Sequence, residues 1–213
     1  MTTGWNNNKK EINLDLSKSN KNDEKNQKIK VKEAARDIIF LLDVSGSMGA
    51  EDLTPNRLEK AKDYINDMVD ALDGEHVGLV VFTSFPSVKC VLTLDYTYFK
   101  QVLKSVVIND NDYMGTKFMP ALNEIINTQF DYSENKNKEL VIITDGGDTD
   151  LEGLKGDSKI EFENSIIDLV KKGFEENKIR IHTIGLGTAA GSIVPGVKSD
   201  SGEYVKSSLN DSF

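Results

Sequence analysis

The 213-residue chain has one cysteine, Cys90, two histidines and four prolines. A single cysteine excludes an intramolecular disulfide. It does not separate compartments, because reduced cytosolic proteins and cysteine-poor exported ones look alike in this respect. No apolar run approaches the roughly 18 residues of a membrane span. The first thirty residues hold no apolar stretch of the kind a secretory signal needs. Positive charge is also scarce where it would matter. Of the formal net charge of −9, residues 1–35 carry eight Lys/Arg against five Asp/Glu, a net +3, and the remainder carries 18 against 30, a net −12. An acidic body repels phosphate, which argues against nucleic acid as a partner. It favours a cation, or a partner with basic patches.

What is present starts at residues 36–48, Arg-Asp-Ile-Ile-Phe-Leu-Leu-Asp-Val-Ser-Gly-Ser-Met. Ile38 to Leu42 are five consecutive apolar residues, a run that predicts a short strand buried on both faces, as in the middle of a parallel sheet. Asp43, Ser45 and Ser47 follow directly, at alternate positions. In an open α/β sheet, ligands bind beyond the carboxyl ends of the strands, where this triplet falls. One carboxylate and two hydroxyls offer hard oxygen ligands, suited to Mg²⁺, Mn²⁺ or Ca²⁺ rather than zinc. The same residue types are also ordinary turn and helix-cap formers, so the triplet alone leaves both possibilities open.

Along the chain, residues 1–34 are polar and rich in Asn and Lys, with too little apolar surface to offset the entropy of ordering. They are expected to form a flexible arm, with a short extended piece at Ile12 to Leu16, ahead of one domain over 35–213. Leu58, Ala61, Ile65, Met68, Val69 and Leu72 recur at helical spacing between Pro55 and Gly74. His76 to Thr83 reads as a second buried strand broken by Pro86, and Val88 to Leu92 as a third, hairpin-paired one. Phe99 to Val107 reads as a helix, Asn109 to Gly115 as a polar loop and Thr116 to Phe130 as a helix with Pro120 in its first turns. A fourth strand, Leu140 to Thr144, ends at Asp145. Ile160 to Phe174 is expected to be helical, Ile179 to Leu186 a fifth strand, and Ile193 to Lys198 with Glu203 to Ser207 a late hairpin. Alternating strands and helices predict an α/β doubly wound, mostly parallel sheet with helices on both faces, one short antiparallel edge strand and a late β-hairpin. Right-handed crossovers then set the turns after the first and fourth strands side by side, which makes Asp145 and the region of Thr116 the places to look for further ligands.

Asp43-Val-Ser45-Gly-Ser47-Met, Met114-Gly115-Thr116 and Ile-Ile-Thr-Asp145-Gly146 together resemble the metal-ion-dependent adhesion site of von Willebrand factor type A (VWA) domains, over residues 36–187. A finer similarity, carried by Asp43 through Lys62, Val88 through Tyr96, and Ile184 through Thr188 with Gly191 and the late hairpin, is to bacterial Bat (aerotolerance-type) VWA proteins. Gly4-Trp5 is similar to the segment that follows the membrane hairpin in that family. The resemblance implies a Rossmann-like fold and a metal held by Asp43, Ser45, Ser47, Thr116 and Asp145. Ser45 and Ser47 would bind directly, Asp43 and Asp145 mainly through water or hydroxyl contacts, and Thr116 directly in one of two states. It implies Mg²⁺ (or Mn²⁺ or Ca²⁺), with an open position that a protein partner fills with an Asp or Glu carboxylate. It also implies a place in the bacterial cell envelope, associated with the inner membrane, in complex assembly or stress tolerance. Members of the family carry membrane spans on both sides of the domain, so membrane contact here is expected only through flanking segments or a partner. They also continue into a last helix beyond the position of Phe213, so one sheet edge is expected to be poorly covered.

Other clusters give weaker signals. Asp148, Asp150 and Glu152 are expected to form a solvated acidic loop beside the site, with a second ion site as the alternative. Asp110-x-Asp112-x-x-Gly115 opens like an EF-hand loop, but its twelfth position is Ala121 instead of Glu. Cys90 is expected to be a small core residue, His182 structural and His76 a surface residue. No catalytic residue is expected: Ser45 and Ser47 lack the Gly-x-Ser-x-Gly elbow, and the position two residues after Asp43 is Ser45 where an aspartyl-phosphate enzyme needs a second Asp. The alternatives to a binding module are a metal-assisted hydrolase and a structural assembly domain with an empty site.

Overall fold

A computed structural model describes residues 36–110, 115–130, 137–199 and 201–209. The expected arm, residues 1–34, with its extended piece at Ile12 to Leu16, lies outside them. Strand β1 (Asp37–Asp43) is buried along its whole length. It is the middle of a five-stranded sheet in the order β3-β2-β1-β4-β5. Strands β2 (His76–Phe82) and β4 (Lys138–Thr144) flank β1 in parallel. Strand β5 (Ile179–Gly185) runs parallel to β4, and β3 (Pro86–Thr93) pairs antiparallel with β2.

The run Ile38 to Leu42 has no polar member because both faces of β1 are covered. Ile38, Phe40 and Leu42 point into one core, shared with Leu58, Ile65 and Val69 of helix α1 (Arg57–Asp70) and with Phe99 and Leu103 of α2 (Tyr96–Ser105). Ile39 and Leu41 point into the other, shared with Phe118 and Leu122 of α3 (Phe118–Glu124) and with Ile166 of α4 (Asp157–Glu175). One aromatic pair anchors each layer: Phe40 against Phe99 at 5.8 Å and Phe82 against Phe118 at 5.2 Å between ring centroids. Fully burying side chains of this size is worth about 1.5–3 kcal/mol each, so β1 contributes heavily to both cores. Cys90 is among the buried core residues, as expected.

Two elements and both histidines differ from expectation. Pro86 opens β3; the first residue of an edge strand tolerates a missing N–H. The helix expected from Thr116 starts at Phe118 and passes into a π turn at Ile125–Gln129. Thr116 and Lys117 stay out of it because Lys117 N–H donates to Thr83 O and Thr149 N–H donates to Thr116 O. His76 is half-buried at the start of β2, with Nδ1 2.8 Å from Asp37 Oδ1. His182 is exposed on β5, 3.9 Å from Glu139 Oε2.

Strand β5 exposes Arg180, His182, Thr183 and Gly185. Helix α4 leaves Ile160, Ile167 and Phe174 in solvent. The late hairpin, β6 (Ser192–Lys198) with β7 (Tyr204–Ser207), forms a separate antiparallel pair. It packs on the short 3₁₀ turn Gly46–Gly49 that follows β1; a Cβ at Gly46 would lie 3.9 Å from Val197 Cγ2. Among the described residues no helix is long and apolar enough to cross a membrane.

Candidate metal centre

Asp43 is the last residue of β1 and is fully buried. Its Oδ1 accepts Ser45 N–H at 2.8 Å and its Oδ2 accepts the Thr144 hydroxyl at 2.7 Å. Thr144 Oγ1 in turn accepts Gly146 N–H at 3.0 Å. The strand ends of β1 and β4 are thus laced together, and Asp145 enters directly after Thr144. Burial, and next the charge of Asp145, push the Asp43 carboxyl up to about 7. The hydroxyls of Ser45 and Ser47 lie 3.0 Å apart at the mouth of the 3₁₀ turn.

Thr116 lies on the segment just ahead of α3 and is buried. Its backbone is tied to Thr149 in three ways: Thr149 Oγ1 accepts Thr116 N–H at 3.2 Å, and Thr116 O accepts both Thr149 N–H and the Thr149 hydroxyl at 2.8 Å. Gly115, just before it, has φ +87°, and a Cβ there would come within 3.0 Å of Thr149 Oγ1 and 3.1 Å of Ser84 Oγ. Only glycine makes this approach without strain. Thr116 therefore stands at the same carboxyl end of the sheet as Asp43, Ser45, Ser47 and Asp145, held between the loops that follow β2 and β4.

The acidic loop differs from expectation. Asp148 is 4% exposed, not solvated. Its Oδ2 accepts Phe118 N–H at 3.1 Å and its Oδ1 accepts Asp150 N–H at 2.8 Å. It caps α3 from across the cleft, supplying an acceptor that the helix's own N-cap position, Lys117, does not provide. Asp150 pairs with Lys117 at 2.6 Å, and Glu152 is exposed. Asp148 is therefore occupied in holding the segment that carries Thr116. Among the described residues no three His, Cys, Asp or Glu side chains gather as a metal cluster, so the donors at this end are two carboxylates plus hydroxyls.

Arg57, the first residue of α1, is a functional residue that the sequence pattern does not single out. Its side chain is fully buried. Nε and Nη2 form a fork on Asp52, at 2.8 Å to Oδ1 and 2.9 Å to Oδ2. Nη1 donates to Asp145 Oδ2 at 2.5 Å and to Ser207 Oγ at 2.8 Å, and Nη2 donates to Ser207 O at 3.0 Å. The Arg57 hydrogen bonds hold the Asp52 carboxyl far below the usual carboxylate range. Thr188 adds its N–H and hydroxyl to Asp52 Oδ2, at 2.8 and 3.1 Å. One signal was available in the sequence: a cation in the first turn of a helix opposes the helix dipole and needs an anionic partner.

The donor chemistry fits a hard divalent cation. Every candidate atom is oxygen, two groups are carboxylates, and burial together with the nearby Asp145 charge raises the Asp43 carboxyl, which a cation would relieve. Ser45, Ser47 and Thr116, with Asp43 and Asp145, are the residues that could hold such an ion. No two of these five come from opposite ends of the sheet.

A family profile described as von Willebrand factor type A domain matches residues 38–147. Among solved structures, the chain is similar to a conserved hypothetical protein, BatB, from Bacteroides thetaiotaomicron, at 29% identity and a TM-score of 0.66, covering 83% of this chain and 82% of that one. It is also similar to an aerotolerance-related membrane protein from Bacteroides fragilis, at 27% identity and a TM-score of 0.68, covering 83% of each. Among curated proteins, an uncharacterized protein of Borreliella burgdorferi is 27% identical over 184 residues. The match takes in 84% of this chain but only 49% of that protein, so the chain spans about half the length of that relative.

Proposed function

The chain belongs to the von Willebrand factor type A domain family, and on that footing we propose that it is a divalent-cation-dependent protein-binding module of the Bat-like kind. The observation that carries this is the meeting of Asp43, Ser45, Ser47 and Asp145 at the ends of two adjacent parallel strands, with the Asp43 carboxyl held up by burial and by its acidic neighbour. Removing a charge from water into such a site is unfavourable unless an opposite charge joins it. A divalent cation is the simplest compensating group for two close carboxylates, and an all-oxygen donor set selects Mg²⁺, Mn²⁺ or Ca²⁺.

In this proposal Ser45, Ser47 and Thr116 offer neutral oxygens, while Asp43 and Asp145 offer charge. Asp145 is oriented by Arg57, and in this reading Asp43 and Asp145 act mainly through water or hydroxyl contacts, so they offset the ion incompletely. When bound, the ion supplies a positive centre open to an outside anion, and an Asp or Glu of a protein partner is the matching group. Complementarity of that kind fixes register and partner choice more than raw affinity. The chain's own residues do the rest. Thr144 fixes the Asp43 carboxylate, Asp148 fixes the start of α3 and Arg57 fixes Asp145. The likeness to a Bacteroides membrane protein supports a place at the bacterial cell envelope, with inner-membrane contact made through flanking segments or the partner.

The test is capture from a bacterial membrane extract on immobilised protein, in Mg²⁺ and in EDTA, with Asp43→Asn as control. A partner retained by the wild type in Mg²⁺, released by EDTA and missed by Asp43→Asn is the expected outcome. Retention indifferent to EDTA and to the substitution would overturn the cation-dependent part.

A further inference from the structure

Arg57 is satisfied to capacity. Its guanidinium has five N–H groups, and five hydrogen bonds leave it: two to Asp52, one to Asp145, and two to Ser207. Its acceptors lie far apart in the chain, on the segment after the 3₁₀ turn, at the end of β4 and on β7. Gly187, with φ +131°, lets the loop after β5 pass so close that a Cβ would sit 3.0 Å from Arg57 Cζ and Nε. The loop can then deliver Thr188 to Asp52.

Two details of this network bear on the cation site. Both hydrogen bonds that Asp145 accepts from Arg57 and Ser207 land on Oδ2. They orient the carboxylate through that one oxygen. Asp52 forms a bidentate pair with the same guanidinium and cancels its charge, so Arg57 can hold Asp145 without neutralising it. A lone cation at this place would compete with a divalent ion; a guanidinium already paired with a carboxylate orients instead. The bonds through Ser207 also fasten β7 to Asp145, while β6 lies on the turn that carries Ser47.

We propose that Arg57 is a positioning residue for the cation site and that, through Ser207, it couples cation binding to docking of the β6–β7 hairpin. The proposal rests on the divalent-cation assignment of the site. Coupling of this type is reciprocal: what a cation does for the hairpin, the hairpin does for the cation. An ion that fixes Asp145 favours the arrangement in which Arg57 and Ser207 close on Oδ2, so it should tighten the hairpin. Loosening the hairpin should weaken the ion's hold.

The experiment combines Mg²⁺ titration by calorimetry with hydrogen exchange of the hairpin amides and of Leu209, whose N–H donates to Thr188 O. In the wild type, Mg²⁺ should slow these amides. Ser207→Ala should weaken Mg²⁺ binding about three- to tenfold, through loss of the hydroxyl's bonds from the Arg57 guanidinium and to the Asp145 carboxylate, and Ser207→Thr, which keeps the hydroxyl, should restore it. Arg57→Lys, which keeps the charge and loses the fork, should weaken binding more than tenfold. Asp52→Asn should do the same by leaving the guanidinium charge uncancelled beside Asp145. If the wild type binds Mg²⁺ but its hairpin amides ignore the ion, and folded Ser207→Ala and Asp52→Asn bind it within twofold of wild type, the coupling is overturned while the cation site stands. If the wild type binds no divalent ion at millimolar concentration, the cation assignment itself falls, and the coupling with it.

Discussion

Replacing Arg57 with alanine is expected to lower the unfolding free energy by about 3–5 kcal/mol, the largest effect expected of a charged residue among those described. The side chain is fully buried and its partners are nearly so: the side chains of Asp52 and Asp145 are each 4% exposed. Cutting it back leaves two carboxylates in a dry place with Asp43 beside one of them, and each must either protonate or draw in water. The contrast is with an exposed pair such as Lys159 and Glu163, one helical turn apart at 3.6 Å and about half in solvent. Removing Lys159 should change stability by less than about 0.5 kcal/mol, because water already screens that pair. Urea unfolding of both variants against wild type, at pH 7 in EDTA, checks the comparison. For a chain of this size, the Arg57 loss corresponds to a fall in melting temperature of roughly 6–20 °C. Equal effects for the two variants would mean that the buried cluster is looser than its hydrogen bonds indicate.

The second large effect is cation-dependent. Free Mg²⁺ at a hundred times its dissociation constant should stabilise the fold by about 2.7 kcal/mol. That is a rise of about 5–10 °C over the EDTA melting temperature. Asp43→Asn should abolish the rise. In EDTA the same variant should melt at or above wild type, because it removes a buried carboxylate pushed up by desolvation and by Asp145 while keeping an acceptor for Ser45 N–H. The two halves pull in opposite directions, so general damage to the fold cannot imitate them. Scanning calorimetry of both proteins, with and without Mg²⁺, reads both halves. A wild type whose melting ignores millimolar Mg²⁺ would contradict the first.

Much of the fold was legible in the chain because its strands are short, apolar and bounded by turn residues. Ile38 to Leu42 marked the central strand, and Leu140 to Thr144 its neighbour. The Asp43, Ser45, Ser47 triplet followed the first and Asp145 the second, so handedness of the crossovers alone put these oxygens at one edge. Thr116 was placed at that end as well, but on a helix it does not join, because hydrogen bonds to Thr83 and Thr149 hold it extended.

The parts that escaped share a physical cause. The roles of Arg57 and Asp148 are set by partners remote in sequence: Arg57 meets Asp145 and Ser207 at separations of 88 and 150 residues, and Asp148 meets Phe118 at 30. A cation in the first turn of a helix hints that Arg57 needs an anion, but local pattern does not say which one, and it carries no trace of the Asp148 pairing. An arginine opening a helix and an aspartate in an acidic loop look like solvated residues until the tertiary fold brings their partners. The late hairpin was foreseen as a hairpin, yet its position over the 3₁₀ turn depends on contacts through Val197 and Ser207 that no spacing rule reports.

The central claim is that the oxygens at the carboxyl end of this sheet bind one divalent cation. Mn²⁺, whose free-ion electron spin resonance signal falls on binding, measures that occupancy directly. The expected result is one Mn²⁺ per chain, displaced by Mg²⁺ and lost in Asp43→Asn. A free-Mn²⁺ signal that the wild type leaves unchanged at millimolar ion would contradict it.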